Sequence, residues 1–369
     1  MPRLAALALL TACGDSPAGP PEFTRLALDA EFRAEGVAVF DVDQDGHQDL
    51  VTDQLWYRGP AFTPTEIRVP ETYDVAVYSR SVGAWGDDVD NDGWTDLVVA
   101  PFPTDEMYWY RNPEGAVGQW ERFVVAPALS AAMETPIFAD LFGRRVMVMG
   151  DEPNGILAWF SPGADPRAPW DKHPISGPGF GTYRFAHGLG AGDVDGDGLT
   201  DVMTGAGWFA QVTPDSWTFH PFALGPDPCS TMHALDLDGD ARNDILCGHP
   251  HSYGLVWWQQ QVDGTFVQQS IDDTISQLHA SALADLDGDG APEIVTGKTW
   301  YAHNTGDPGL DDPPELVYYT IAPGPVFERH DIDADSGVGR TMTVEDVDGD
   351  DQLDVIVANK KGLFVFRQR

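Results

Sequence analysis

An acidic pattern that recurs along the whole chain limits what this sequence can fold into. The pattern is D-x-D-x-D-G-x-x-D, and a short apolar run follows it directly. Six copies are recognisable, and their acidic residues are Asp41, Asp43, Asp45 and Asp49; Asp88, Asp90, Asp92 and Asp96; Asp193, Asp195, Asp197 and Asp201; Asp236, Asp238, Asp240 and Asp244; Asp285, Asp287, Asp289 and Glu293; and Asp346, Asp348, Asp350 and Asp354. Midway between the second and third copies, residues 138–143 keep the apolar positions of a further copy without its acidic loop. The resulting seven units succeed one another about every 50 residues, a spacing typical of propeller blades.

An aromatic β-type run follows the acidic loop in every unit. Residues 55–57 (LWY), 108–110 (YWY), 256–258 (VWW) and 299–301 (TWY) are examples. Two further strand-like runs, separated by turn residues, precede the next acidic loop, so each unit holds four short strands. A lone hairpin cannot bury its apolar faces. The sequence therefore predicts an all-β fold, a seven-bladed β-propeller with four-stranded blades over residues 23–369.

The two ends of the repeat region complement each other. The last unit stops at its aromatic strand, whereas a spare strand at residues 23–29 (FTRLALD) precedes the first unit. That strand resembles residues 327–333 (FERHDID), which form the fourth strand of the sixth unit. We therefore expect the N-terminal strand to complete the last blade, which closes the ring and leaves no open edge.

The N-terminus has the character of an export signal. Residues 4–12 are apolar and follow Arg3, so residues 1–12 are interpreted as a signal peptide. Residues 10–13 (LTAC) resemble the lipobox of bacterial lipoproteins, which implies that Cys13 is lipidated and that residues 13–22 form a flexible tether. We expect an exported protein, lipid-anchored in the bacterial cell envelope on its periplasmic or cell-surface face. An ordinary signal peptide is the alternative.

Two cysteines remain within the repeats, Cys229 and Cys247. In an oxidising compartment they could pair, but the strand register does not clearly place them opposite each other. A disulfide and two buried thiols are both compatible with the sequence.

The acidic loops have the composition of a site for a hard cation. Carboxylates at positions 1, 3, 5 and 9 supply several oxygens, and Gly at position 6 permits a sharp turn, which together suit calcium. In two copies Ala241 and Asp351 replace that glycine, and we expect weaker binding there. The repeated loop followed by a β-run resembles the FG-GAP/VCBS repeats of integrin-type propellers. The resemblance implies a propeller fold and several structural Ca²⁺ ions, with the acidic residues of the six loops as ligands.

The net charge narrows the range of partners. The chain carries 59 Asp and Glu against 21 Lys and Arg, a formal net charge of -38. Such a field repels phosphate backbones and anionic headgroups, so we expect no nucleic acid partner and membrane contact only through the lipid anchor. The expected assembly state is a monomer, and a glycan or a surface protein is the expected kind of ligand.

Polar residues gather where the innermost strand of each unit begins, near the central channel on the face opposite the acidic loops. The positions six residues before each acidic loop are Glu35, Val82, Glu134, His187, Ser230, His279 and Arg340. With the neighbouring hairpins, the candidate catalytic residues are His187, His233, His279, Lys298, Arg340 and Lys360. Two or three imidazoles among carboxylates could hold Zn²⁺ or another divalent metal, and a histidine could act as a general base. The alternative is that these polar side chains have no functional role and are polar only because the mouth of the channel is exposed to solvent.

The C-terminal half resembles the propeller domain of aldos-2-ulose dehydratase-like proteins. The resemblance rests on residues 278–280 (LHA) before the fifth acidic loop in sequence, Gly297–Lys298, the insert 306–313, residues 336–340 (SGVGR) and residues 359–362 (NKKG). That family implies metal-assisted elimination of water from a keto-sugar.

Two principal functions therefore compete, with a pure assembly scaffold as the third. The first is an exported, calcium-stabilised propeller lipoprotein that binds a carbohydrate or protein ligand at the channel face. The second is a metal-assisted sugar lyase or dehydratase that uses the channel-mouth cluster. Common enzyme signatures for serine hydrolases, zinc proteases, P-loop proteins and dinucleotide-binding proteins are absent from the sequence.

Overall fold

The computed structural model describes residues 19–180, 182–222, 224–225, 227–303 and 306–369. The predicted signal peptide (1–12), the lipidation of Cys13 and the first part of the tether lie outside the described residues. In the described part of the chain, no helix is long and apolar enough to cross a membrane.

The described residues form 28 β-strands, in agreement with the predicted all-β class. The first thirteen are β1 (Phe23–Asp29), β2 (Ala38–Phe40), β3 (Asp49–Val51), β4 (Leu55–Arg58), β5 (Thr63–Glu66), β6 (Gly83–Asp87), β7 (Asp96–Ala100), β8 (Met107–Arg111), β9 (Glu121–Ala126), β10 (Ile137–Leu141), β11 (Arg144–Asp151), β12 (Ile156–Ser161) and β13 (Asp171–Pro174). The remaining strands are β14 (Leu189–Gly192), β15 (Asp201–Thr204), β16 (Gly207–Thr213), β17 (Ser216–Pro221), β18 (Thr231–Leu235), β19 (Asp244–Gly248), β20 (Tyr253–Gln260), β21 (Phe266–Ser276), β22 (Ser281–Ala284), β23 (Glu293–Gly297), β24 (Leu316–Ala322), β25 (Val326–Asp333), β26 (Thr343–Glu345), β27 (Asp354–Asn359) and β28 (Gly362–Gln368).

The strands assemble into five separate four-stranded sheets and one eight-stranded sheet. The four-stranded sheets are β2–β5, β6–β9, β10–β13, β22–β25 and β1-β28-β27-β26. In each, the innermost strand leads into an acidic loop or, for β10, into the degraded copy. The prediction of seven four-stranded blades is thus only partly met, because five of the sheets stand alone.

The eight-stranded sheet departs from the prediction for a local reason. Its strands β14–β17 and β18–β21 are joined by a parallel pairing in which Leu189 faces Thr231 and Gly190 faces Met232. A Cβ atom at Gly190 would lie 2.2 Å from the carbonyl oxygen of Met232. Only glycine therefore allows the two inner strands to come close enough to pair.

The N-terminal strand joins the last sheet, as the sequence predicts. β1 pairs antiparallel with β28, with Phe23 opposite Gln368 and Ala27 opposite Phe364. The two ends of the described chain thus share one sheet.

Aromatic side chains of the third strands fill the space between neighbouring sheets. Trp56, Trp109 and Trp159 are at most 1% exposed. Trp109 packs with Phe138 and Val146 of the next sheet, so the core is a series of contacts between blades. Truncation of such a tryptophan to alanine typically costs about 3–5 kcal/mol, so this repeated aromatic position is a principal source of stability.

The two cysteines left open by the sequence form a disulfide. Cys229 and Cys247 are bonded, with their Cα atoms 5.5 Å apart. In the ladder, Cys247 faces Met232 and not Cys229, which precedes β18, so register alone does not reveal the pair.

Candidate functional site

Each acidic loop is folded by its own first carboxylate. Asp41 accepts hydrogen bonds from the backbone N–H groups of Asp45 and Gly46, at 3.1 and 2.8 Å. This wrapping brings carboxylate oxygens of Asp41, Asp43 and Asp45 within 4.8 Å of one another. Similar groupings occur at Asp88, Asp90 and Asp96 and at Asp193, Asp195 and Asp197. These are arrangements of hard oxygen donors that suit a calcium ion.

The sixth loop position has a left-handed backbone even where glycine is absent. Gly46 and Gly93 have φ values of 88° and 90°, and Ala241 and Asp351 have values of 67° and 68°. Residues with a Cβ adopt this conformation at a cost of about 1–2 kcal/mol. The substitutions therefore preserve the loop shape and add local strain.

The carboxylate at the ninth position of each loop is buried and also stabilises the fold, a role that the sequence does not reveal. Asp49 accepts N–H groups from Val42 at 2.9 Å and from Gly59 at 2.7 Å, so it ties the loop to a neighbouring turn. The other five ninth-position residues also accept backbone N–H groups; they are Asp96, Asp201, Asp244, Glu293 and Asp354. Burial, outweighing these hydrogen bonds, raises the pKa of Asp96 and Glu293 to about 7.

Arginines neutralise some acidic loops and leave others uncompensated. Arg58 Nη2 lies 2.5 Å from Asp43 and 3.1 Å from Asp45, and Arg111 bridges Asp90 and Asp92 in the same way. The loops that begin at Asp236 and Asp346 also carry an arginine, through Arg242–Asp240 and Arg367–Asp348. Among the described residues, no arginine pairs with the loops that begin at Asp193 and Asp285.

A buried cluster of imidazoles and a carboxylate occupies the opposite end of the inner strands. One donor atom each from Glu134, His187, His279 and His303 lies within 4.8 Å of all the others. Nε2 of His187 is 3.4 Å from Glu134 Oε2, and Nε2 of His303 is 3.9 Å from the same oxygen. We call these four residues the histidine cluster.

The histidine cluster comes from segments far apart in sequence. Glu134 and His187 precede the inner strands β10 and β14, and His279 lies between β21 and β22. His303 lies in the long connection between β23 and β24. The histidine cluster therefore forms only when three separate sheets are packed together.

Electrostatics keep the imidazoles neutral and the carboxylate charged. Burial lowers the pKa of His187 to about 3 and also lowers the pKa of His279. Burial alone would raise the pKa of Glu134, but Arg340 and the neighbouring histidines lower it to about 2. Arg340 Nη1 donates to Glu134 Oε2 at 2.5 Å. Neutral imidazoles and an ionised carboxylate are the protonation states that a divalent transition metal requires.

A second carboxylate supports the cluster from outside. Asp307 Oδ2 lies 3.0 Å from Nδ1 of His251 and 2.9 Å from Nδ1 of His303. The rings of these two histidines are stacked, with centroids 4.1 Å apart. A carboxylate at Nδ1 orients an imidazole so that its Nε2 faces a metal.

The structure brings together half of the candidate residues that the sequence singles out. His187 and His279 belong to the histidine cluster, and Arg340 contacts it through Glu134. Lys360 lies nearby: its Nζ donates to the carbonyl groups of Val75 and Tyr301 and is 4.5 Å from the Tyr78 ring.

His233 and Lys298 contact other residues, outside the histidine cluster. Nε2 of His233 is 2.9 Å from Ser281 Oγ, and burial lowers the pKa of His233 to about 4. Lys298 is 1% exposed, and its charged neighbours are Asp312 and Glu315. Neither residue belongs to the histidine cluster.

Four residues of the site were not among the candidates chosen from the sequence, namely Glu134, His251, His303 and Asp307. Glu134 occupies an inner-strand position that the repeat identifies, so its register was a usable signal. His303 lies in a connection that no other unit repeats, and nothing in its spacing marks it.

Comparisons with known proteins agree on the architecture. Residues 236–296 match the family model of the FG-GAP-like repeat, which spans the acidic loops at Asp236 and Asp285. No curated protein matches the chain. A solved structure described as "Crystal structure of BBS1N in complex with ARL6DN, soaked with mercury" is similar, with a TM-score of 0.55, 11% identity, and coverage of 93% of this chain and 94% of that chain. The V. cholerae biofilm matrix protein Bap1 is also found, with a TM-score of 0.40, 13% identity, and coverage of 86% and 45%.

At 11% identity, the first likeness shows the fold alone. Together with the repeat match it confirms a β-propeller that contains FG-GAP-like repeats. The comparisons give no support to the resemblance to aldos-2-ulose dehydratase-like proteins.

Proposed function

We propose that this chain is a calcium-stabilised β-propeller that binds a carbohydrate or protein ligand at the channel face through a divalent transition metal. The observation that carries the proposal is the convergence of Glu134, His187, His279 and His303 on one point of the channel. Three imidazoles and one carboxylate are a donor set preferred by Zn²⁺ and related ions.

Orphaned polar atoms support the presence of a metal. Nε2 of His279 and Nε2 of His303 are buried and have no hydrogen-bond partner among the described residues. Unsatisfied buried nitrogen atoms are costly, and a cation held by the histidine cluster would satisfy both. When bound, a metal of this kind supplies a Lewis-acidic site for an oxygen atom of the ligand.

The residues around the metal site would then have different roles. His187, His279, His303 and Glu134 hold the ion, and Arg340 keeps Glu134 ionised. Asp307 orients His303 from the opposite ring nitrogen.

We count the eight-stranded sheet as two blades, which makes seven in total. Its halves, β14–β17 and β18–β21, are each an antiparallel meander, and only the inner strands β14 and β18 pair across the junction. In each half, as in the separate sheets that carry one, an acidic loop connects the first strand to the second.

Calcium in the acidic loops is part of the same proposal. The converging carboxylates and the preserved left-handed turn fit a hard cation in each loop. Export and a lipid anchor at Cys13 complete the proposal, with the propeller as a monomer in the cell envelope.

A metal-assisted sugar lyase is the second candidate. The observation that favours it is the pair of cations Arg340 and Lys360, both at most 3% exposed, which lie 5.2 and 4.5 Å from the centroid of the Tyr78 ring. Buried cations at that place could stabilise an anion formed when a proton leaves a carbon atom next to a carbonyl group.

Elemental analysis of the purified full chain tests the proposal. We expect several equivalents of calcium and about one of a transition metal, with the latter lost in the His187→Ala, His279→Ala double variant. His233→Ala is the matched control, since burial also lowers the pKa of His233 and this residue lies outside the cluster. A wild-type protein that takes up no Zn²⁺, Fe²⁺ or Mn²⁺ on dialysis, or a double variant that retains it, would overturn the metal site.

A further inference from the structure

An aromatic ledge lies on the channel face beside the histidine cluster. The rings of Tyr78 and Phe102 are stacked, with centroids 5.1 Å apart and planes inclined by 13°. Phe185 continues the row, 5.9 Å from Phe102, and is 40% exposed. We call Tyr78, Phe102 and Phe185 the aromatic ledge. Phe185 is tilted by 46° against Phe102, and its exposed ring offers an apolar face of the kind on which a sugar ring can stack.

The ledge begins at the cluster. The guanidinium carbon of Arg340 lies 5.2 Å from the centroid of Tyr78, and the same guanidinium donates to Glu134. One side chain therefore separates the proposed metal site from the first ring of the ledge. A ligand on the ledge would lie beside the metal.

Two cavities meet at Arg80. The first, of about 360 Å³, is also lined by Tyr78 and Phe102 of the ledge. The second, of about 320 Å³, is also lined by Arg122 and by the carboxylates Glu71, Asp105 and Glu106. The ledge thus borders, through Arg80, a pocket in which guanidinium groups and carboxylates occur together.

Two of the guanidinium groups in this pocket are weakly engaged. Arg80 is 66% exposed in its side chain, and its Nε is 3.9 Å from Asp105, at the outer limit of an ion pair. Arg122 lies over the Tyr108 ring at 5.1 Å and forms no ion pair with any described residue. Arg68, in the same pocket, differs because Asp53 holds it at 2.6 Å.

Arg80 and Arg122 are weakly paired arginines on a chain whose formal net charge is -38. The overall field disfavours long polyanions with closely spaced charges, such as nucleic acids. A short ligand with one carboxylate per ring can still pair locally with a guanidinium in bidentate geometry. The rings would stack while the carboxylates reach Arg80 and Arg122.

We propose that the aromatic ledge and the Arg80–Arg122 pocket bind an oligosaccharide that contains uronic acid residues. The proposal rests on the channel-face ligand site proposed above and names the class of ligand. Phe102 and Phe185 stack on the sugar rings, and Arg80 and Arg122 pair with the carboxylates.

Calorimetric titration of the full chain with a galacturonate hexamer, and with maltohexaose as the neutral probe, tests this assignment. We expect the galacturonate hexamer to bind, the affinity to fall with added salt, and maltohexaose to bind at least about tenfold more weakly. Arg80→Gln and Phe185→Ala should each weaken binding about tenfold. Both side chains are substantially exposed, so the variants should fold.

Two control variants distinguish the loss of this binding site from a general effect of removing a surface arginine or phenylalanine. Arg144→Gln removes an exposed arginine from the turn of the degraded acidic copy, on the other face. Phe219→Ala removes a phenylalanine that is 39% exposed, against 40% for Phe185, on the outer strand β17. Both control variants should bind the galacturonate hexamer like the wild type.

Failure of this inference is distinguishable from failure of the metal site. Absence of galacturonate binding, equal binding of maltohexaose, or equal losses in the control variants would overturn the uronate assignment, even if the protein holds its metal. Binding that depends on Arg80 and Phe185 in a protein that takes up no transition metal would support the assignment and overturn the metal proposal alone.

Discussion

The two faces of the propeller carry charged clusters that are built in opposite ways. On one face, each acidic loop takes its carboxylates from nine consecutive residues, and the design appears six times. On the other face, one cluster collects Glu134, His187, His279 and His303 from four separate segments. The comparison shows that repetition supplies the scaffold, whereas the single feature arises where the repeats differ from one another.

The two faces also manage charge differently. The acidic loops remain anionic and are balanced, where they are balanced, by arginines such as Arg58 and Arg111. The histidine cluster is largely neutral, because burial keeps His187 and His279 unprotonated. We therefore expect a hard cation on the first face and a softer transition metal on the second.

Removal of calcium should have the largest effect on stability. An ion at ten times its Kd contributes about 1.4 kcal/mol, and six such ions should raise the Tm of a chain of this size by about 10 °C. Thermal unfolding with excess EGTA or excess Ca²⁺ measures the shift. Equal melting temperatures in the two conditions would remove the calcium proposal, and Mg²⁺ in place of Ca²⁺ is the control for ionic strength.

Loss of His303 should have the largest effect on the channel face. Because its donor atom lies within 4.8 Å of those of Glu134, His187 and His279, His303→Ala should weaken Zn²⁺ binding at least about 100-fold. Competition with a chromophoric chelator measures the affinity. The stacked neighbour His251 is the matched control, and a larger loss in His251→Ala than in His303→Ala would show that the ligand set has been assigned incorrectly.

Asp307→Asn should have a smaller effect of the same kind. Removal of a carboxylate that orients a metal-binding imidazole typically lowers metal affinity about 10–100-fold. The same competition assay applies, together with the pH dependence of binding, since an altered imidazole orientation also shifts proton release. Asp311→Asn, in the same connection, should leave both unchanged.

His233 should act as a stabilising residue whose effect depends on pH. Its pKa is lowered to about 4, so on acidification the unfolded chain takes up a proton near its ordinary pKa of about 6.5 before the folded chain does. The free energy of unfolding should therefore fall between pH 6.5 and pH 4, by at most about 3 kcal/mol from this residue. Urea unfolding of the wild type and of His233→Gln across this range measures the difference, and parallel pH profiles would contradict it.

Arg58→Gln should produce the smallest change. Arg58 is 49% exposed in its side chain, and ion pairs of this kind contribute about 0.2–1 kcal/mol. Without the arginine, the loop at Asp41 should bind Ca²⁺ a few-fold more tightly, which titration calorimetry can detect. The loop at Asp193, which pairs with no arginine among the described residues, is the internal comparison, since its affinity for Ca²⁺ should be the same in the wild type and in Arg58→Gln.

The sequence was sufficient for features that repeat at fixed spacing. The acidic loops, the pairing of β1 with β28 and most of the aromatic third strands follow from patterns that recur in the chain. The expectation that residues 299–301 form such a strand is wrong: a long connection intervenes, and the third strand of that sheet is β24. The fused pair of sheets did not follow, because it depends on the absence of one Cβ atom at Gly190.

The channel site was predictable only where it coincides with the repeat. His187, His279 and Arg340 precede inner strands at the same register, and the structure brings them to the site. His233 lies three residues beyond the equivalent position, Ser230, and its ring contacts Ser281 instead. His303 and Asp307 lie in a connection without a counterpart, where only three-dimensional proximity can assign a partner.

The pairing of β1 with β28 has a consequence for how the molecule can be assembled. Thr24 and Arg369 are in contact although 345 positions separate them, so the last sheet cannot form until both β1 and β28 have been synthesised. A linear repeat array can lose a terminal unit and keep the rest, since each unit contacts only its neighbours. Here the loss of either terminal strand would expose an unpaired strand edge and open the ring. Folding should therefore be cooperative across the entire propeller, and partial translation products should be prone to associate through that edge.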